Sequence, residues 1–404
     1  MVAHCRPARI AVAILGLAVA TTLGPDRAFA QTADQLFDDR TLQEVRLFLH
    51  PRDLEALRAH YDANMYYPVD VVWNGVRVTT AGVRVRGLAS RNATKPSLLL
   101  DFDRYIRGQT FLGLTELALD NLVTDPSGIR EAVSMALFNR MGQPAPRESF
   151  TRLYINDVYH GAYALVETVN LNLLARVGFD AAGYLFEKVY AGQFHGEYLR
   201  SLASYAALFD ARAREYESDS TLFAPIRELF EEANEKVDGV WRDHVSTYLD
   251  VEQFMTHVAV ETFLSEEDGV LGFAGMANFY LYRPAGGPHR LIAWDKDSTF
   301  DRIDSPVFLR ANENEVFRRA LSLEALRAQY LGALEQSART AALGGWLEGE
   351  IVRLAAVVSA ALRDDPVKPY GNDQHDAAVA FLIQFARQRP AFVLGEVAAA
   401  RAAR

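Results

Sequence analysis

The sequence predicts an α+β protein of two lobes, a β-rich first part followed by a helical second part. Three observations predict it. Short apolar runs separated by turn residues fill the stretch from Val69 to Val189. From about Ala203 the apolar spacing becomes helical and ends in Ala-rich segments. Two short strands, Asn278 to Arg283 and Arg290 to Trp294, interrupt those helices and carry carboxylates with them. Strands followed by helices make an α+β plan, and the cleft between two lobes is the default ligand site.

The chain opens with a pattern that predicts export. Arg6 and Arg9 precede an apolar stretch from Ile10 to Leu23, and Ala28-Phe29-Ala30 supplies a small-x-small cleavage site. The organisation expected is a signal peptide over 1–30, a β-rich lobe over 31–200 and a helical lobe over 201–404 that carries the acidic motifs. The apolar stretch is shorter than the roughly 20 residues a bilayer span needs. No later segment is longer, so no stable membrane insertion is expected. The destination is periplasmic, extracellular or cell-surface. Cys5 is the only cysteine and would leave with the leader, which excludes disulfides, thiolate metal sites and a cysteine nucleophile. The charge of −10 becomes −12 once Arg6, Arg9, Arg27 and Asp26 are removed, which argues against a nucleic-acid partner. The nine histidines show no HExxH-type spacing, which argues against a histidine zinc site.

Within the first lobe, Val69 to Trp73 and Val76 to Thr80 flank Asn74-Gly75, a strong short hairpin signal. A third strand is predicted over Val83 to Arg86 and a fourth over Ser97 to Phe102. Ile129 to Met141 has helical spacing behind Asp125-Pro126-Ser127. A second strand pair, Arg152 to Ile155 and Tyr159 to Glu167, turns at Asn156-Asp157, and Tyr184 to Val189 reads as one more strand. In the second lobe, helices are predicted over Leu222 to Lys236, Val251 to Leu264, around Ser322 to Arg363, and over Asp376 to Ala400.

Three clusters could carry chemistry. In Trp294-Asp295-Lys296-Asp297, two carboxylates one residue apart follow an apolar strand and can aim at one hard cation together with substrate phosphates. An Asp-x-Asp here also serves as a plain turn. A calcium loop fails, because Phe300 and Pro306 stand where that loop needs Gly and Glu. Glu266-Glu267-Asp268-Gly269 places acids at a helix C-terminus, against the helix dipole, with Asn278 opening the next strand. Such a run is either a solvated acidic turn or a site compensated by a cation or a substrate proton. Arg84-Val85-Arg86-Gly87 followed by Lys95 puts cations on one strand face beside a Gly turn, which suits phosphate and equally a solvated face. Taken in order, a basic phosphate site, an Asp with a downstream Asn and a strand-end Asp follow the order of parts in a protein kinase. GxGxxG, HRD and DFG signatures are absent.

These blocks resemble the spore coat protein H (CotH) kinase family of secreted atypical protein kinases. The resemblance runs over Val83 to Gly87 with Ser90 and Lys95, Leu117 to Asn121 with Asp125, and Ile129-Arg130-Glu131. It continues through Tyr154-Ile155-Asn156, Gly161-Ala162-Tyr163, Glu167, Gly183 to Phe186 with Lys188, Asp268, Asn278 to Tyr282 and Trp294 to Asp297. It implies an atypical protein-kinase-like fold of two lobes that uses ATP with Mg²⁺ or Mn²⁺ to phosphorylate Ser or Thr of an exported protein. Asp268 would be catalytic. Asp295, Asp297 and Asn278 would hold the metal. Arg86 and Lys95 would meet the ATP phosphates, with Glu167 and Lys188 near the nucleotide. Thr94-Lys95-Pro96 departs from the paired lysines frequent in the family, which leaves Lys95 alone there. Two other readings stand beside it. One is a non-catalytic surface or matrix protein that keeps a kinase-like scaffold for binding. The other is a polymer hydrolase with Asp268 and Asp295 as its carboxylate pair, which would leave Arg86 and Lys95 without a role.

Overall fold

The computed structural model describes residues 31–88 and 90–403. The export leader expected over residues 1–30 lies outside the described residues. Strands β1 (Leu42–Phe48), β2 (Tyr67–Trp73), β3 (Val76–Val85), β4 (Leu98–Asp101), β5 (Glu116–Asp120), β6 (Glu148–Ile155) and β7 (Val158–Val166) close into a barrel in the order β1-β2-β3-β4-β5-β7-β6. Neighbours are antiparallel except for the closing pair of β1 with β6, which is parallel. Both predicted hairpin turns are present. Asn74 and Gly75 take φ of 45° and 78°, and Asn156 and Asp157 take 50° and 63°, as tight two-residue turns between twisted strands require.

Valines and leucines at alternate positions (Val69, Val71, Val83, Val85, Leu98, Leu100) fill the barrel. The other face of β4 is buried too, because Leu99 joins the second core, which also contains helix Arg130–Arg140. That double burial explains the unbroken apolar run there. The strand predicted at Val83 is not separate. β3 continues to Val85, with a register shift against β2 between Val69 and Val71.

A second sheet stacks β8 (Tyr184–Lys188), β9 (Phe209–Ala211), β10 (Phe279–Arg283) and β11 (Arg290–Ala293) in the order β11-β10-β8-β9, all antiparallel. β8 comes from before residue 200, yet it pairs with β10, the strand that follows Asn278. Helices Val251–Leu264, Glu324–Ala342, Trp346–Arg363 and Asn372–Ala402 complete the second core. The long helix expected over 322–363 breaks at Gly344 and Gly345, whose φ of 59° and 71° no helix contains. Arg389 is fully buried and donates to the carbonyls of Thr262, Phe263, Ile303 and Ser305, which satisfies the open C-terminal end of helix Val251–Leu264. Among the described residues no helix is long and apolar enough to cross a membrane.

Candidate active site

Helix Val251–Leu264 ends at Ser265, which takes a left-handed φ of 54° and reverses the chain into Glu266-Glu267-Asp268. The Asp268 N–H donates to Glu266 Oε1 at 2.8 Å, and Asn278 Nδ2 donates to Asp268 Oδ2 at 3.0 Å. The ten-residue gap between Asp268 and Asn278 is therefore a closed loop, with the Ala277 N–H donating to the Gly269 carbonyl at 3.1 Å. Asn278 (φ 57°) and Asp295 (φ 53°) are both left-handed, a conformation that Asn and Asp tolerate and that concentrates at functional sites. Lys188, at the end of β8, lies near enough to Asp268 to feel its charge. Burial pulls the Lys188 ammonium down to about 8, and Asp268 partly offsets that pull.

Past β11, Asp295 and Asp297 face the barrel. Thr124 Oγ1 donates to Asp297 Oδ2 at 2.7 Å, and Ser298 Oγ donates to Oδ1 at 3.1 Å. A shallow cleft opens here, lined by Asp120, Thr124, Asp125, Glu131, Glu148 and Asp297. Arg86 lies beside it, 3.8 Å from Asp120 and over the Trp294 ring at 5.1 Å. Arg84 shares the outward face of the strand as predicted but turns away to Tyr66 and Asn64. Burial, then the like charges of Asp297 and Asp120, push the Asp295 carboxyl up to about 7 against the pull of Arg86. Burial and neighbouring carboxylates also hold Glu131 and Glu148 well above the usual range. Glu148 is 8% exposed, and its Oε1 has no hydrogen-bond partner among the described residues.

This cluster has more acid than it can ionise alone, which is a deficit of positive charge in a partly desolvated cleft. Among the described residues no three His, Cys, Asp or Glu side chains converge as a ready metal cage. Mg²⁺ does not need one, since it is ordinarily held by one or two carboxylates plus substrate phosphates. Asp295 and Asp297, with the unpartnered Glu148 oxygen nearby, fit that donor chemistry.

Two predicted residues stand elsewhere. Lys95 is fully enclosed, 2.7 Å from Asp365 and 5.2 Å from the Tyr163 ring centre. Glu167 is buried between Arg147 at 2.8 Å and Arg176 at 2.7 Å, and Oε2 also accepts the Arg147 N–H, so both its oxygens are committed. Glu148 and Glu261 were not picked out from the sequence. Glu148 follows Arg147 at the start of a strand and carries no local signal. Glu261 could have been noticed as a charge in the apolar run of helix Val251–Leu264.

The CotH kinase protein family matches residues 83–393. Inner spore coat protein H of Bacillus subtilis (strain 168) is 22% identical over 358 residues, covering 86% of this chain and 95% of that protein. Among solved structures, the HipA–HipB operator complex of Shewanella oneidensis MR-1 superposes with a TM-score of 0.32 at 9% identity, over 83% of this chain and 66% of that one. The Helicobacter pylori proinflammatory kinase CtkA gives a TM-score of 0.30 at 9% identity, over 89% of this chain and 96% of that one. The α+β architecture predicted from the sequence is the one observed, and the family match, which takes in barrel strands β4 to β7 and the acidic loops, makes it a kinase-like one: the chain belongs to the CotH kinase protein family.

Proposed function

We propose that the protein is an exported kinase that transfers the γ-phosphoryl group of ATP to Ser or Thr of an exported protein with Mg²⁺. The observation that carries this reading is the grouping of Asp120, Glu131, Glu148, Asp295 and Asp297 around the guanidinium of Arg86, beside the Asp268–Asn278 pair. Phosphoryl transfer asks a protein mainly for positioning and charge stabilisation. Mg²⁺ held by Asp295 and Asp297 would neutralise charge on the phosphates. Arg86 would add a fixed guanidinium to the same phosphates, released from Asp120. Asp268, steered by the Asn278 amide, would orient the acceptor hydroxyl and take its proton. Lys188 would lie beside the reacting groups as a cation. The enclosure of Lys95 removes it from this scheme unless Asp365 releases it, and that feature supports the rival reading of a binding scaffold.

Labelled ATP, Mg²⁺ or Mn²⁺ and a mixture of exported proteins would separate the two. Wild type should transfer label, and Asp268→Ala should lower the rate by about 10²–10⁴-fold, the usual range for a general base. Asp295→Ala should abolish metal-dependent nucleotide binding in calorimetry. Absence of both transfer and metal-dependent nucleotide binding in wild type would sink the kinase reading.

A further inference from the structure

Lys296 stands between the two aspartates of the candidate metal loop, yet it points away from the cleft. Its side chain is fully buried. Nζ lies 2.7 Å from Glu261 Oε1 and donates to the Asn278 carbonyl at 2.8 Å. The other oxygen of Glu261 accepts the Val270 N–H at 2.8 Å, and His257 Nε2 lies 3.2 Å from Oε1. The two ends of the 268–278 loop are thereby tied to one ion pair, Val270 through Glu261 and Asn278 through Lys296. The closeness is tight enough to dictate sequence, because a Cβ on Gly269 would sit 2.7 Å from the Glu261 carboxylate. On its far side Lys296 is held by Thr299, whose Oγ1 donates to the Lys296 carbonyl at 2.8 Å and pairs with Ser134 at 2.8 Å.

We propose that Lys296 is a positioning residue: locked by Glu261, its ammonium fixes the Asn278 backbone so that the Asn278 amide stays on Asp268. The inference rests on the kinase reading for its kinetic consequence but not for its geometry. A buried ion pair kept only for stability can often be replaced by apolar groups at little cost. One that positions a reacting group cannot, since a misplacement of about 1 Å can cost roughly 10²-fold in rate.

The test compares wild type with Lys296→Met, Lys296→Arg, Glu261→Gln and Leu334→Ala, the last a core truncation in helix Glu324–Ala342. Transfer from labelled ATP gives kcat and the KM for ATP, and amide hydrogen exchange reports on 268–278. Lys296→Met should lower kcat at least about 30-fold while the KM for ATP changes less than about 3-fold, because the acceptor side is disturbed rather than the nucleotide side. Exchange in 268–278 should quicken while 324–342 stays protected, and Lys296→Arg should restore much of both. Leu334→Ala should destabilise the fold with kcat unchanged. The proposal is overturned if Lys296→Met turns over at the wild-type rate per folded molecule, or if its exchange quickens evenly along the chain. Should Lys296→Met not fold, Glu261→Gln, which keeps an acceptor for Val270, carries the same two readouts with the same expectations. If wild type transfers no label, the kinase reading fails, and exchange alone then decides: an unchanged 268–278 in both variants overturns the pinning.

Discussion

Two buried lysine–carboxylate pairs in this molecule share a geometry and differ in what surrounds them. Lys95 with Asp365 and Lys296 with Glu261 each close to 2.7 Å, and both ammonium groups are fully enclosed. Around Lys95 stand the Tyr163 ring, Asp365 and, further off, Asp120, and burial outweighs them, so its pKa falls below the ordinary lysine value. Around Lys296 burial also opposes charge, but Glu261 and Glu266 outweigh it and the ammonium is held more firmly than in water. Asp365 spends its remaining capacity on the N–H groups of Ala162 and Val367, tying the segment after helix Trp346–Arg363 to the barrel. Glu261 spends its own on the loop that carries Asp268. One pair joins pieces of the fold, and the other joins pieces of the candidate site. Burial of a lysine therefore says little about its use until its partners are counted.

The largest effect expected from breaking the comparison is on stability. Glu261→Ala leaves the Lys296 charge buried and unpaired and should cost about 3–5 kcal/mol in urea denaturation. The sign of the Glu261 shift agrees: burial raises its pKa, Lys296 outweighs that, and the carboxyl falls to about 2, so it is ionised wherever the protein is folded. Asp365→Ala should cost less, about 1–3 kcal/mol, because burial already lowers the Lys95 pKa and so eases loss of its proton. Equal costs for the two variants would erase the distinction drawn here.

Much of the fold was legible because turns and periodicity are local. Asn74-Gly75 and Asn156-Asp157 mark their hairpins without help from the rest of the chain, and helix Val251–Leu264 falls where its spacing put it. β1, β5 and β9 were missed, since a short strand such as Phe209–Ala211 is defined by its neighbour across the sheet rather than by its own pattern. The site divides the same way. Asp268, Asn278, Asp295 and Asp297 announce themselves by spacing, whereas Glu148 gains its place only when the barrel closes. Lys95 and Glu167 have the residue types a phosphate or nucleotide site wants, but Asp365 and the pair Arg147 and Arg176, distant in sequence, hold them.

An effect of similar size sharpens the role of the acids around Lys296. Burial raises the Glu266 carboxyl to about 8, with Lys296 opposing and Glu261 adding to the rise. A raised folded-state pKa means that the native protein keeps a proton the unfolded chain has lost. Its contribution to stability is thus full below about pH 4.5 and lost as pH rises toward 8. Glu266→Gln cannot titrate, so its stability relative to wild type should improve by about 3–5 kcal/mol between pH 5 and pH 9, on the order of the shift itself. A pH-independent difference in urea midpoints would mean that Glu266 is ionised throughout.

The smallest effect concerns a third buried lysine, Lys188. It donates to the Val189 carbonyl at 2.7 Å, and Asp268 is the charge that most opposes its desolvation. Its pKa is pulled from 10.5 to about 8, so the native state binds the proton less well than the unfolded chain does. The resulting penalty is full below about pH 8 and is relieved as pH climbs toward 10.5. Carbon-detected NMR of the lysine Cε should therefore show one resonance titrating near 8, with Lys95 also titrating below the ordinary lysine value and Lys296 above it. Asp268→Asn removes the opposing charge and should move the Lys188 midpoint further down by a few tenths of a pH unit, about half a kcal/mol or less. An upward move, or none, would separate Lys188 from Asp268 and return it to the same class as Lys95, a cation tied to an acid outside the acidic loops.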